Sequence, residues 1–527
     1  MAFDKYFFIA QFEKYPELLT FLSPDVDATA DYNPEQMSPW MLALYEAASE
    51  YLPTAQGEDF PTPIKDLLKK SQPDKRSFEL ERTMLCLMSY HSVVLKDYSF
   101  FEKSPVMFGG PITRDQFNCL CELLNISEVK GIVELELVVG DLGKIRPLRQ
   151  HICKIEGIEA QDPDQFIEAL LQKGQDVCVK YLPTINDLSV EDFSELIKIN
   201  TGFHYGHFAH AESTERALAK LKIVIEERGL KYLSLNMLVQ CLDVAGASAH
   251  AGGKILLNNI IAATYLNCIF PTLQRLQSET PETIYLSYLR DRLDQCGLSP
   301  EPSTPFDDSD RLLARLLCMF RITEEKQARE LKGAIEQLKE SSEFMCSLST
   351  IASYENNPAF QTPTYMPALL VALKESEEVR KLADIQGKKT QEIALGIGLK
   401  LIAHCLDSHA KLVEYEKANP NIPVNFNGLT RLVKEDFQSL ETLQCQSVAL
   451  GSDGYVYPSL WVLSKQTNRL HDYVSLGEDI EIGKLDLQKK YEQHLTMNSP
   501  FRVALQMTEG VNTGNDIETT GVPGNGI

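Results

Sequence analysis

Long apolar runs are missing from this chain of 527 residues. No stretch of about 18 uninterrupted apolar residues occurs, so a transmembrane segment is not expected. Basic residues are also short, with 51 Lys+Arg against 74 Asp+Glu and a formal net charge of −23. That balance opposes a polyanion, whose binding depends on phosphates neutralised by Lys and Arg, and no basic cluster offsets it; nucleic acid is not an expected partner. The opening Met-Ala-Phe-Asp-Lys lacks a charged region followed by an apolar core, so no Sec-type signal peptide is expected. The twelve cysteines lack metal-site spacing: Cys119 and Cys121 form a C-x-C pair with no second pair. Cys86, Cys241, Cys268 and Cys318 sit in apolar helical runs and read as reduced core residues of a cytosolic protein. Phosphate-loop, nucleophile-elbow and H-E-x-x-H signatures are all absent.

The apolar sequence present is enough for a sizeable core: 44% hydrophobic and 24% charged residues, the balance of an acidic globular protein. Apolar residues recur at helical spacing nearly throughout and strand-like alternation is scarce, so the expected fold is mainly α and multi-helical. The spacing predicts helices over 36–52, 76–99, 113–125, 162–173, 189–200, 205–228, 231–245, 254–277, 308–320, 323–340, 366–384 and 389–417. The stretch 131–139 alternates partly like a strand but reads as a buried helix in its helical surroundings. Asp162-Pro163 is a helix start and Gly229 a helix stop. The expected organisation is an N-terminal helical segment over 1–75, a helical core over 76–297, a Pro- and Ser/Asp-rich linker at 298–310, a helical C-terminal domain over 311–506, and a disordered polar tail over 507–527.

Six of the ten histidines fall between residues 91 and 250, and three of them, His204, His207 and His210, lie at steps of three in Gly202-Phe-His-Tyr-Gly-His-Phe-Ala-His-Ala-Glu212. On one helix such steps turn by about 300° each, which places neighbouring imidazoles on adjacent turns where two can share a metal ion. The competing reading is a polar groove between helices. Asp243 ends an apolar helix, a position the helix dipole disfavours for a carboxylate, and therefore calls for a metal, a histidinium or hydrogen-bond donors, unless it caps the following turn. Phe108-Gly-Gly-Pro111 and Ala251-Gly-Gly-Lys254 are short Gly pairs read as ordinary turns, and His471-Asp472 is read as surface.

Val138-Val-Gly-Asp-Leu-Gly-Lys-Ile145 repeats the theme of an apolar helix ending in Asp and Gly. Its Asp141-Leu142-Gly143-Lys144 resembles the HD-domain phosphohydrolase superfamily, whose helical core ends a helix with a His-Asp pair followed by Ile/Leu-Gly-Lys. The resemblance covers about 85–260 and implies an HD-like core. His91 then corresponds to the first metal-ligand histidine, and Asp243 or Asp164 to the later acid. Gly140 stands where the family has histidine, so His151, His204 or His207 must supply that ligand. A second alignment starts from His204 or His207 and uses Leu242-Asp243, with Leu242 again in the histidine's place. The resemblance implies a metal set of His91, Asp141, His204, His207 and Asp243, holding divalent Mg, Mn, Fe or Zn. Asp243 and Lys144 would serve catalysis, Lys144 by steadying developing charge in a phosphohydrolase or phosphodiesterase acting on a small phosphorylated, nucleotide-type molecule. From a different class comes a non-catalytic helical interaction protein with a protein partner. The acidic helical chain with its polar tail also resembles bacterial effectors delivered by type IV secretion, which gives two expected locations, the cytoplasm or a host cell.

Overall fold

The computed structural model describes residues 78–474, apart from 127–129, 144–145, 159, 161–162, 182–184, 187, 214, 250–253, 299–304, 339–341, 353–362, 365, 417–423, 426, 436, 438–439, 441–443, 451–455 and 464–469. The expected segment 1–75 with its helix 36–52, and the tail 507–527, lie outside the described residues. The protein is mainly helical, as its periodicity predicts. No described helix is long and apolar enough to cross a membrane. The chain divides into two compact units, one of residues 1–205 with 215–288, the other of residues 206–214 with 289–527.

In the first unit the longer helices are α1 (Phe78–Leu95), α2 (Arg114–Asn125), α3 (Lys130–Leu142), α4 (Arg146–Glu156), α5 (Pro163–Gln172) and α6 (Val190–Ile199). A short helix α7 (Tyr205–Ala209) carries the chain out of this unit, and α8 (Glu215–Arg228) and α9 (Leu230–Gly246) bring it back. The 131–139 stretch is the middle of α3, a helix as expected. It is buried nearly all round, and correspondingly α1, α5, α6 and α9 all pack on it. Local signals fix several ends. Thr113 and Gln116 form a reciprocal capping box at the start of α2, and α5 begins at Pro163. Gly229, at φ +88°, separates α8 from α9.

The expected helix 254–277 is observed as one uninterrupted helical run from Asn259 to Gln277 whose geometry changes along it: α over Asn259–Ala262, π over Ala263–Ile269, α over Phe270–Gln274 and 3-10 over Arg275–Gln277. Pro271 has no N–H to give to a preceding carbonyl, and the wider π turns lie just before it.

The division between units falls inside α10 (Pro281–Gln295), upstream of the expected linker. The end of that linker starts the next helix, α11 (Asp308–Met319), where the Asp307 side chain accepts from Asp310 N at 2.9 Å. There follow α12 (Glu325–Leu338), α13 (Ser342–Ala352), α14 (Met366–Glu375), α15 (Glu377–Gln386), α16 (Thr390–Glu416) and α17 (Asn427–Glu435). The long α16 is the axis of this unit, with α12, α13, α14 and α15 packed on it. The predicted helix 366–384 is two helices, because Ser376 turns to an extended backbone and its hydroxyl caps Val379 N.

The second unit is not wholly helical, which corrects the expectation for 311–506. Strands Pro363–Thr364 (β1) and Val424–Asn425 (β2) pair in parallel, and β3 (Gln444–Leu450), β4 (Val456–Leu463) and β5 (Leu470–Val474) form an antiparallel sheet in that order. Pro458 sits in the central strand β4, which sequence rules disfavour. It is tolerated because it faces Ser447 where the register of the β3–β4 pair shifts. His471-Asp472 belongs to β5, opposite Val462 and Trp461.

Helix α1 packs on α9. At Gly246 a Cβ would overlap Cys86 Sγ and lie 2.5 Å from the Arg82 carbonyl oxygen, so only glycine permits this approach. Gly246→Ala is expected to destabilise the chain by about 1–3 kcal/mol, the usual cost of forcing a methyl into a packed contact. Thermal or urea denaturation measures it, and an unchanged midpoint would contradict the packing described.

Candidate functional site

The backbone of α7 and of the turn after it breaks the expected three-histidine helix face. Helical geometry covers only Tyr205–Ala209, so His204 precedes it and His210 lies beyond its end. The chain then turns back on itself: Ala211 adopts φ +52°, and the amides of Glu212 and Ser213 both donate to the His207 carbonyl, at 2.8 and 3.1 Å. The predicted helix 205–228 is interrupted there.

The turn is held by a buried arginine. Arg315, only 1% exposed in the middle of α11, donates from Nε and Nη2 to the Ala211 carbonyl at 3.1 and 2.9 Å, and from Nη1 to the Ile351 carbonyl. One turn earlier, Arg311 Nε donates to the Ala352 carbonyl at 2.9 Å, and its Nη2 meets Asp308. Ile351 and Ala352 end α13, where carbonyls have no partner within the helix. Both arginines are thereby satisfied in an otherwise apolar layer.

The imidazoles in this turn have defined partners. His207 Nδ1 lies 2.5 Å from Oε2 of the buried Glu212. Arg321, itself at φ +53°, donates Nε–H to His210 Nε2 at 2.8 Å. Burial, followed by the positive fields of Arg321, His207 and Arg292, pulls the His210 pKa down to about 3.

The other expected site residues have surroundings of their own. His204 belongs to the first unit, His207 to the second. Asp243 Oδ1 accepts from Arg82 Nη2 of α1 at 3.5 Å, and its backbone carbonyl lies 3.7 Å from Cys86 Sγ. The donor demanded by a carboxylate at a helix C-terminus is therefore a guanidinium. His91 is half-buried on α1, and His151 is half-buried on α4. Asp141 lies in the last turn of α3 and Asp164 at the start of α5. Lys144 and His250 lie outside the described residues, as do Gly252 and Gly253. Among the described residues, no three His, Cys, Asp or Glu side chains are grouped so as to hold a metal ion.

The described cysteines are free thiols, and burial pushes those of Cys119, Cys178, Cys241 and Cys296 up, Cys178 to about 12. Cys405 has no exposed surface.

Sequence reasoning missed the charges that the helices enclose. Glu134 and Glu136, 2% and 5% exposed, lie in the central helix α3. Their signal was there: Ile132, Val133, Leu135, Leu137 and Val139 flank them along the helix and leave no solvent face for a carboxylate. Arg311 and Arg315, spaced i, i+4 among leucines, were legible in the same way.

A family model matches residues 55–438, described as a family of unknown function (DUF6829). No curated protein and no solved structure matches the chain.

The Arg82–Asp243 pair keeps 19% and 32% of its side chains exposed, so water screens it. A double-mutant cycle of Arg82→Met and Asp243→Asn, read by denaturation, is expected to give a coupling of about 0.2–1 kcal/mol. A coupling several times larger would show the pair to be desolvated and contradict this.

Proposed function

Taking as premise that the chain belongs to the DUF6829 family, we propose that it is a non-catalytic helical interaction protein whose partner is another protein. The observation that carries this reading is the pairing of the residues eligible for chemistry: Asp243 with Arg82, His207 with Glu212, His210 with Arg321. Of these groups Glu212 is the buried one, and His207 spares it an unmet polar group costing about 1–3 kcal/mol; the other pairs keep contact with water. On this reading the HD-like character is a degenerate helical core, with Gly140 and Leu242 in the places of the family's histidines.

The donor set does not fit a divalent Mg, Mn, Fe or Zn centre, since Asp243 faces the Arg82 guanidinium and His207 Nδ1 is engaged by Glu212. No hydrolytic step is derived through such an ion. The host-protein partner of a type IV secreted effector is one form of this reading, supported by the acidic, helical character of the chain.

The test is elemental analysis of the purified full chain after equilibration with each metal, alongside hydrolysis of phosphomonoester and phosphodiester probes. The expected result is metal well below one equivalent and no turnover. Near-stoichiometric metal that disappears in His207→Ala, with phosphodiester cleavage, would overturn the proposal in favour of the phosphohydrolase.

A further inference from the structure

Residues 206–214 are an excursion. The chain leaves the first unit after Tyr205, joins the second, and rejoins the first at Glu215. Two clasps from the α11 region hold the excursion in the second unit. One is Arg315 on the Ala211 carbonyl, which does not titrate. The other is Arg321 Nε–H on His210 Nε2 at 2.8 Å, and this one has a protonation requirement. A guanidinium N–H needs a lone pair to point at, so His210 accepts only while it is neutral at Nε2, with any ring proton on Nδ1.

The charges around His210 sharpen that requirement. Arg321 lies just beyond α11, Arg292 lies on α10, and His207 lies on the excursion itself; all three act on His210 as positive charges. The carboxylate of the excursion, Glu212, is already engaged by His207 Nδ1 at 2.5 Å. A proton on His210 would therefore set N–H against N–H among like charges.

We propose that residues 206–214 form an acid-released clasp, docked on the second unit at neutral pH and undocking as His210 takes up a proton. The clasp operates whether or not the chain is catalytic. The lowered value of about 3 for docked His210 agrees with it, because an undocked histidine titrates near an ordinary pKa of about 6.5. A depressed docked pKa means that docking is at full strength above about pH 6.5 and weakens as the pH falls toward about 3. For one proton taken up on undocking, the undocked population rises about 25-fold between pH 7 and pH 5.

Hydrogen exchange on the full chain tests this at the amides of His210, Ala211, Glu212 and Ser213, which donate to Gly206, Phe208 and His207 carbonyls. With intrinsic exchange rates divided out, their protection is expected to fall about 25-fold from pH 7 to pH 5 while that of α16 changes little. In His210→Gln, whose side-chain oxygen accepts from Arg321 without titrating, the fall should vanish; in His207→Gln it should persist. Flat protection in the unmodified chain overturns the proposal. So does an undiminished fall in His210→Gln, or a fall abolished by His207→Gln. If His210→Gln does not fold, the unmodified chain and His207→Gln decide between these outcomes.

Discussion

A guanidinium buried among leucines persists only where its N–H groups find acceptors, and Arg315 meets that condition by joining two backbone segments that have carbonyls to spare. One is the C-terminal end of α13, whose last carbonyls lack intrahelical partners. The other is Ala211, where a left-handed residue has just ended the helical run. The histidine-bearing turn depends on this junction. With Ala211 fixed, the amides of Glu212 and Ser213 return to the His207 carbonyl, Glu212 reaches His207, and His210 comes to Arg321. The price of the buried cation is thus offset by ordering a segment that carries none of the unit's long helices.

The same constraint operates in the first unit in a different form. There the core is built on α3, and the close approach of α1 to α9 at Gly246 brings Arg82 beside Asp243. Asp243 is poorly placed for the dipole of its own helix and well placed for a cation on its neighbour. Clustering of histidine and aspartate along the sequence therefore reflects two separate sets of internal contacts.

Most of the helical architecture was legible. Helices α1, α2, α5, α6, α9, α11, α12 and α16 lie where apolar spacing and capping residues predict them, because a buried stripe imposes its period on the sequence. The failures have physical causes. The break after Ala209 depends on Arg315, about a hundred residues away, and no local signal encodes it. Helices α4, α10, α13 and α17 are missed outright, and the β3–β5 sheet is concealed by Pro458, which stands where a register shift excuses it. At the candidate site, the need of Asp243 for a donor was legible from its helix position, whereas the identity of that donor depended on tertiary packing. The three-histidine face is not formed because helical geometry covers only Tyr205–Ala209, which leaves His204 before the helix and His210 beyond its end.

These polar residues serve one another, and His210 is a histidine whose Nε2 accepts from a guanidinium, Arg321. Long-range proton–nitrogen spectra of the full chain with labelled histidines, recorded near pH 5 with and without a divalent zinc salt, read the state of each ring directly. His210 is predicted to remain a single neutral tautomer, protonated at Nδ1 and bare at Nε2, in the docked chain and to be unresponsive to metal. A His210 signal that becomes doubly protonated with an ordinary midpoint near pH 6.5, or whose ring nitrogens shift on metal binding, would contradict it.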